Sequence, residues 1–259
     1  MTTRTDAPIL ETMSLSFMDF LRYPDLRIPE KQTTFITGES GTGKSTLLRL
    51  FNNSASSASG SIHYRGTDIL AIDPVSLRRT VLLAGQAVFL FDDTIAGNFR
   101  QYFSYRDEPV PADEKVLECL SVCRAEFPLD APCKNLSGGE RQRVFLAIYL
   151  SMESDILMLD EPTSALDEKT GKAVMKNLSD YCRDQGRTLM VVSHDPSLVD
   201  RFAENRVILT PRGECMNTIV KMNLAQFSLI YLLLIIILVI MKKARVNQTK
   251  LLVVASFRM

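Results

Sequence analysis

The sequence predicts an α/β protein built on a mostly parallel sheet, with a phosphate-binding loop leaving one of its strands. Three observations carry this. Gly38-Glu39-Ser40-Gly41-Thr42-Gly43-Lys44-Ser45-Thr46 has the spacing G-x-x-x-x-G-K-S, preceded by a β-branched run (34–37) and followed by a helix-like one (46–51). Residues 156–159 and 188–192 are unbroken apolar runs, as strands buried on both faces of a parallel sheet require. Strand-like and helix-like segments alternate along the chain, the pattern of α/β folds.

The other elements follow in order. A short strand is expected over 61–64, after the Ser/Ala/Gly-rich turn 54–60, and another over 81–84, ending at Gly85-Gln86. Val116, Leu117 and Leu120 give 112–124 helical spacing, with Pro111 near its start and Asp113 and Glu114 in its first turn. A second strong helix is expected over 139–152. There is no internal repeat and no low-complexity tract.

Composition narrows the function. A chain of 259 residues suits one large or two small domains. Thirty basic residues against thirty acidic ones leave no net charge, so nucleic acid is not expected as a partner. The five cysteines (Cys119, Cys123, Cys133, Cys182, Cys215) lack paired C-x-x-C spacing and read as reduced thiols. The first eight residues are polar and carry no secretory signal. Residues 222–241, by contrast, are uncharged and almost wholly apolar, and about 20 such residues span a membrane as a helix. The chain therefore reads as a soluble part to about Gly213 and a membrane-type tail.

Each fixed position of the 38–46 loop has a physical task. Its glycines allow a concave nest of N–H groups aimed at phosphate oxygens. Lys44 would add charge at the β- and γ-phosphates, and the Ser45 hydroxyl would ligate Mg²⁺. Downstream, the apolar strand 156–159 delivers Asp160 and Glu161 at its end. Asp160 is placed to hold Mg²⁺ through water, and Glu161 to orient or deprotonate an attacking water. Ser137-Gly138-Gly139-Glu140 opens the 139–152 helix, with Ser137 as cap and the glycine N–H groups at its positive end forming a second anion site.

Taken together, these motifs closely resemble the ATP-binding cassette (ABC) ATPases, over most of residues 9–213. In that resemblance 38–46 is Walker A, 156–161 is Walker B, and 136–142 is the signature. Gln86 stands as the Q-loop glutamine and a further Mg²⁺ contact, Asp167 lies in the D-loop, and His194 is the switch histidine. The family fold implied is a P-loop NTPase with a RecA-like parallel core, an N-terminal antiparallel β-subdomain and an α-helical signature subdomain (about 87–150) within an ATPase domain at 1–215. ATP and Mg²⁺ are the implied ligands. The implied mechanism is a head-to-tail homodimer in which Ser137, Gly138, Gly139 and Glu140 of one copy close over ATP on the Walker A loop of the other. Lys44, Glu161, Gln86 and His194 would then support attack by water. Adenine stacking falls to an aromatic upstream of Walker A; Phe17, Phe20 and Tyr23 compete, and Phe17 or Phe20 is favoured, although a core role is open to either. His63 stands outside every motif and is expected at the surface.

The segment 86–99 resembles the Q-loop of exporter cassettes and should face a polytopic permease, which places the ATPase on the cytoplasmic face of the membrane. The short cassette is similar to the FetA-type bacterial ATPases of iron or metal export, and 222–259 to the start of a FetB-type permease. Import and lipid-related transport remain open, as does a non-transport ABC ATPase. The tail's flanks conflict with a simple outward run, because Lys242, Lys243, Arg245, Lys250 and Arg258 follow the apolar stretch while fewer positive residues precede it. A permease reading frame joined to a complete cassette accounts for both features.

Overall fold

The computed structural model describes residues 7–18 and 21–210, and the backbone of 216–218. The membrane-type segment 222–259 lies outside the described residues, as does Phe20. Among the described residues, no helix is long and apolar enough to cross a membrane.

Two sheets organise the chain. The first is antiparallel and N-terminal: β1 (Pro8–Phe17) pairs with β2 (Leu21–Arg22), β3 (Arg27–Pro29) and β5 (Ser59–Tyr64), and β5 pairs with β6 (Thr67–Asp68). β1 breaks register between Pro8 and Leu10 and again between Met13 and Ser16. Ser14 there adopts φ 48°. Two irregularities spoil the period-2 alternation by which a strand is read from sequence.

The second sheet holds β4 (Thr33–Gly38), β7 (Val81–Ala84), β8 (Ile156–Asp160), β9 (Thr188–Val192), β10 (Asn205–Leu209) and β11 (Met216–Thr218). Its order is β11-β10-β4-β9-β8-β7, and every pairing is parallel except β10 with β11. All residues of β8 and β9 are buried, which explains their continuous apolar runs. Two apolar clusters cover this sheet. One centres on Phe35, Leu157 and Leu189 with the helices α3 (Ile95–Tyr105), α4 (Asp113–Val122), α5 (Gly138–Ser151) and α6 (Glu168–Asp184). The other joins Ile36, Met158 and Met190 to α1 (Lys44–Phe51), α2 (Pro74–Thr80) and the antiparallel sheet. A last helix, α7 (Pro196–Phe202), separates β9 from β10.

The strands over 61–64, 81–84, 156–159 and 188–192 and the helices over 112–124 and 139–152 all form, with bounds shifted by no more than two residues. His63 is half-buried in β5, opposite Glu11 and Asp68, rather than at the surface. Cys119, Cys123, Cys133 and Cys182 are buried free thiols; burial pushes all four above the usual thiol value.

Candidate nucleotide site

The site lies where parallel strands end, the usual position for ligands in such sheets. β4 delivers the loop 38–43, β8 delivers Asp160 and Glu161, and β9 leads to His194. A cavity of about 660 Å³ brings together Lys44, Ser45, Gln86, Asp160, Glu161 and His194, with Phe17, Met18 and Leu21 at its apolar margin.

The loop is built to present N–H groups. Gly43 sits at φ 88° as the N-cap of α1, and no side chain caps this helix or supplies a first-turn acid. By contrast α2, α3, α5, α6 and α7 begin on Asp or Thr or Ser side chains that accept an N–H bond. The open first turn of α1 leaves donors for an anion. Thr42 closes the loop by donating to the Glu39 carbonyl at 2.9 Å. Tyr23, buried beneath it, donates to the Gly43 carbonyl at 3.0 Å. A Cβ on Gly43 would stand 2.6 Å from that hydroxyl. Burial pushes the Tyr23 phenol up to about 12, so it remains a donor at neutral pH.

Lys44 is 6% exposed, and its ammonium donates to the carbonyls of Gly38 and Glu39, each at 2.8 Å. Burial lowers its pKa, while the carboxylates of Glu161 and Asp160 oppose the shift. Asp160 is 6% exposed, and its Oδ1 has no hydrogen-bond partner among the described residues. A buried carboxylate oxygen left free costs energy unless something binds it. With the Ser45 hydroxyl and the Gln86 amide in the same cavity, the donors are hard oxygens, and they fit Mg²⁺.

Glu161 follows β8 at φ 53°. Its side chain is 15% exposed, and Oε1 lies 3.4 Å from Nε2 of His194 without an aligned hydrogen bond. Burial raises its pKa; His194 and Lys44 pull it down, and Asp160 pushes it further up. A basic, partly dehydrated carboxylate is suited to accept a proton from water.

Ser137, Gly138, Gly139, Glu140 and Asp167 do not line this cavity. Ser137 and Gly138 are exposed at the start of α5. Ser137 caps that helix, and its N–H and hydroxyl each lie 2.8 Å from the Glu140 carboxylate. This bonding holds the Glu140 carboxyl below its ordinary value. Asp167 caps α6 through the Thr170 N–H at 3.0 Å. Of the aromatic candidates, Phe17 lines the cavity and Tyr23 supports the loop instead.

The profile of the ABC transporter family matches residues 21–164, more than half of the chain. The chain belongs to the ABC transporter family. Cassettes of this family are ATPases, and this chain is one. It is 34% identical over 209 residues to Protein STAR1 of Oryza sativa subsp. japonica, covering 80% of this chain and 60% of that protein. It is 33% identical to the ATP-dependent lipid A-core flippase of Vibrio parahaemolyticus, covering 78% of this chain and 36% of the flippase. The cassette thus spans less than two thirds of either relative. Among solved structures, a dimeric bacterial ABC transporter cassette superposes with a TM-score of 0.69 at 27% identity, over 80% of this chain and 96% of that one.

Two residues that the motif reading includes act in roles it did not give them. Tyr23 braces the loop from below. Gln142, 3% exposed, reaches from α5 to the backbone of Glu161 and Ala165. Its signal was available: Gln142 heads the stripe continued by Phe145, Leu146 and Tyr149, where a polar side chain needs a buried partner.

Proposed function

We propose that this chain is the ATP-hydrolysing subunit of a membrane exporter, working as a head-to-tail homodimer on the cytoplasmic face and driving a polytopic permease. One observation carries the reading: Lys44, Ser45, Gln86, Asp160, Glu161 and His194 converge on one cavity, while Ser137 to Glu140 lie outside it on an exposed helix start. Half a site and a displaced second anion cradle make sense when two copies exchange them.

In this reading the N–H groups of 41–46 bind the β- and γ-phosphates, and Lys44 exchanges its loop carbonyls for phosphate oxygens. Ser45 and Asp160, with Gln86, would hold Mg²⁺, which when bound offsets the charge of the phosphates. Glu161 takes the proton of a water attacking the γ-phosphorus in line, giving ADP and inorganic phosphate; His194 orients the reacting groups beside it. The partner's Ser137, Gly138 and Gly139 supply the remaining donors to the γ-phosphate. Phe17 stacks on adenine. The cassette occupies 1–215, with the helical subdomain at about 87–150 and the membrane-type segment at 222–259.

An exposed aromatic patch supports a permease partner. Phe89 is 57% and Tyr105 78% exposed, and both pack on Phe91 just beyond Gln86. The sequence resemblance to FetA-type cassettes favours iron or another metal as cargo. The lipid A-core flippase relatives favour a lipid. Deleting the cassette with its permease and measuring cell metal content, metal sensitivity and membrane lipid composition separates the two. Metal accumulation supports metal export, altered lipid alone supports the lipid reading, and no change in either contradicts export of both kinds. Purification without any polytopic membrane protein would contradict the partner.

A further inference from the structure

Glu161 is set in place by its backbone more than by its side chain. Its left-handed φ of 53° is one that side-chain-bearing residues rarely adopt, so its surroundings must hold it there. Three hydrogen bonds do so. The Glu161 N–H donates to Val192 on β9 at 3.0 Å, and its carbonyl accepts from the Ser164 N–H at 3.2 Å. The same carbonyl accepts from Gln142 Nε2 at 3.1 Å.

Gln142 does more than add one bond. Its Oε1 accepts from the Ala165 N–H at 2.9 Å, so one buried amide bridges both ends of the turn from Glu161 to Ala165. Nε2 also lies 3.5 Å from the Ser164 hydroxyl. A second contact fastens the same two segments. A Cβ on Gly139 would stand 2.9 Å from the Ala165 carbonyl, so the start of α5 lies directly against the turn. The helix whose first turn carries Ser137 to Glu140 is therefore tied to the turn that carries Glu161.

We propose that Gln142 is a positioning residue for hydrolysis, holding the Glu161 backbone in register with the start of α5. When Ser137, Gly138 and Gly139 of one copy close on the nucleotide of another, this amide passes their displacement to the Glu161 of their own chain. Glu161 Oε1, without an aligned partner, follows its backbone. The inference rests on the paired half-site reading above.

Two variants test it in the full chain. Gln142→Glu keeps the acceptor for Ala165 but loses the donor to the Glu161 carbonyl. Gln142→Met removes both bonds at similar length. Misplacing a reacting group by about 1 Å costs on the order of 100-fold. Both variants should therefore lose about 10- to 100-fold in kcat, with ATP affinity and KM within about twofold of wild type. Hydrogen exchange should quicken in peptides spanning 160–167 and stay unchanged in those spanning 33–51. If Gln142→Glu does not fold, Gln142→Met is judged on the same thresholds. Retention of kcat within twofold overturns the proposal, as does a loss shared equally by kcat, KM and melting temperature with exchange raised throughout. Failure of the wild-type chain to hydrolyse ATP would instead strike the site reading, and the exchange pattern would still decide the role of Gln142.

Discussion

Replacing Gly43 by alanine should destabilise the nucleotide loop by an amount that the packing around it sets. Gly43 holds φ 88°, where an alanine costs roughly 1–2 kcal/mol. The new Cβ would also meet the Tyr23 hydroxyl at 2.6 Å, well inside the 3.4 Å at which such contacts become ordinary. Tyr23 is buried and cannot swing into solvent. Its ring must retreat, and the bond to the Gly43 carbonyl, worth about 1 kcal/mol net, is lost. The sum is about 2–3 kcal/mol. Tyr23→Phe alone should cost about 1 kcal/mol. In the double variant the hydroxyl is gone and only Leu21 Cδ1, at 3.1 Å, still crowds the methyl. The bond lost in both single variants is then counted once, so the two costs should fall short of additivity by about 1 kcal/mol. Urea unfolding at 25 °C of the four proteins measures this directly, with ATP titration alongside. A Gly43→Ala protein with the wild-type midpoint, or strictly additive costs, would refute the account of how the loop is braced.

Further predictions concern the reacting carboxylate and the base-binding end. Because burial raises the Glu161 pKa, hydrolysis should fall on the acid side at a higher pH than an ordinary glutamate would give; an acid limb at the ordinary glutamate position would contradict this. The same shift has a stability consequence. The penalty for the charged, buried form is absent below the unfolded pKa and grows as pH rises through the folded one. Glu161→Gln should therefore melt higher than wild type at pH 7 to 8 and equally at pH 4, while trapping ATP-bound dimers; an equal melting temperature at all pH values would count against it. Phe17→Ala should weaken ATP binding by about 10-fold, and Phe17→Tyr should leave it unchanged, if the ring stacks on adenine. Equal binding by all three proteins would return Phe17 to a packing role.

Much of this architecture was legible because it depends on local chemistry. The residues of β8 and β9 had to be apolar on both faces, and the loop after β4 had to carry glycines, so both announced themselves. The elements that stayed hidden obey different constraints. β1 is irregular at two points, so its buried Ile9 and Leu10 stand side by side instead of alternating. The short strands β2, β3 and β6 take their order from their neighbours more than from their own few residues. At the site, charge-bearing motifs could be assigned from spacing, whereas Tyr23 and Gln142 act through contacts between segments distant in sequence. The helical stripe marks Gln142 as a buried polar group, but its partners Glu161 and Ala165 lie 19 and 23 positions away, and no local pattern encodes which they are. The choice of Phe17 over Tyr23 likewise needed the cavity, since both lie in the same stretch of chain.

The central claim is that each chain holds half of every working site. Two inactive variants test it: Lys44→Ala, which spoils the phosphate loop, and Ser137→Arg, which spoils the signature. In a mixed dimer one site inherits both defects and the other inherits neither, because the loop of one chain faces the signature of its partner. Mixing the two at equal amounts should restore about a quarter of the wild-type rate if dimers form at random and sites act independently. A mixture that stays at the residual activity of its separate components would contradict the shared site.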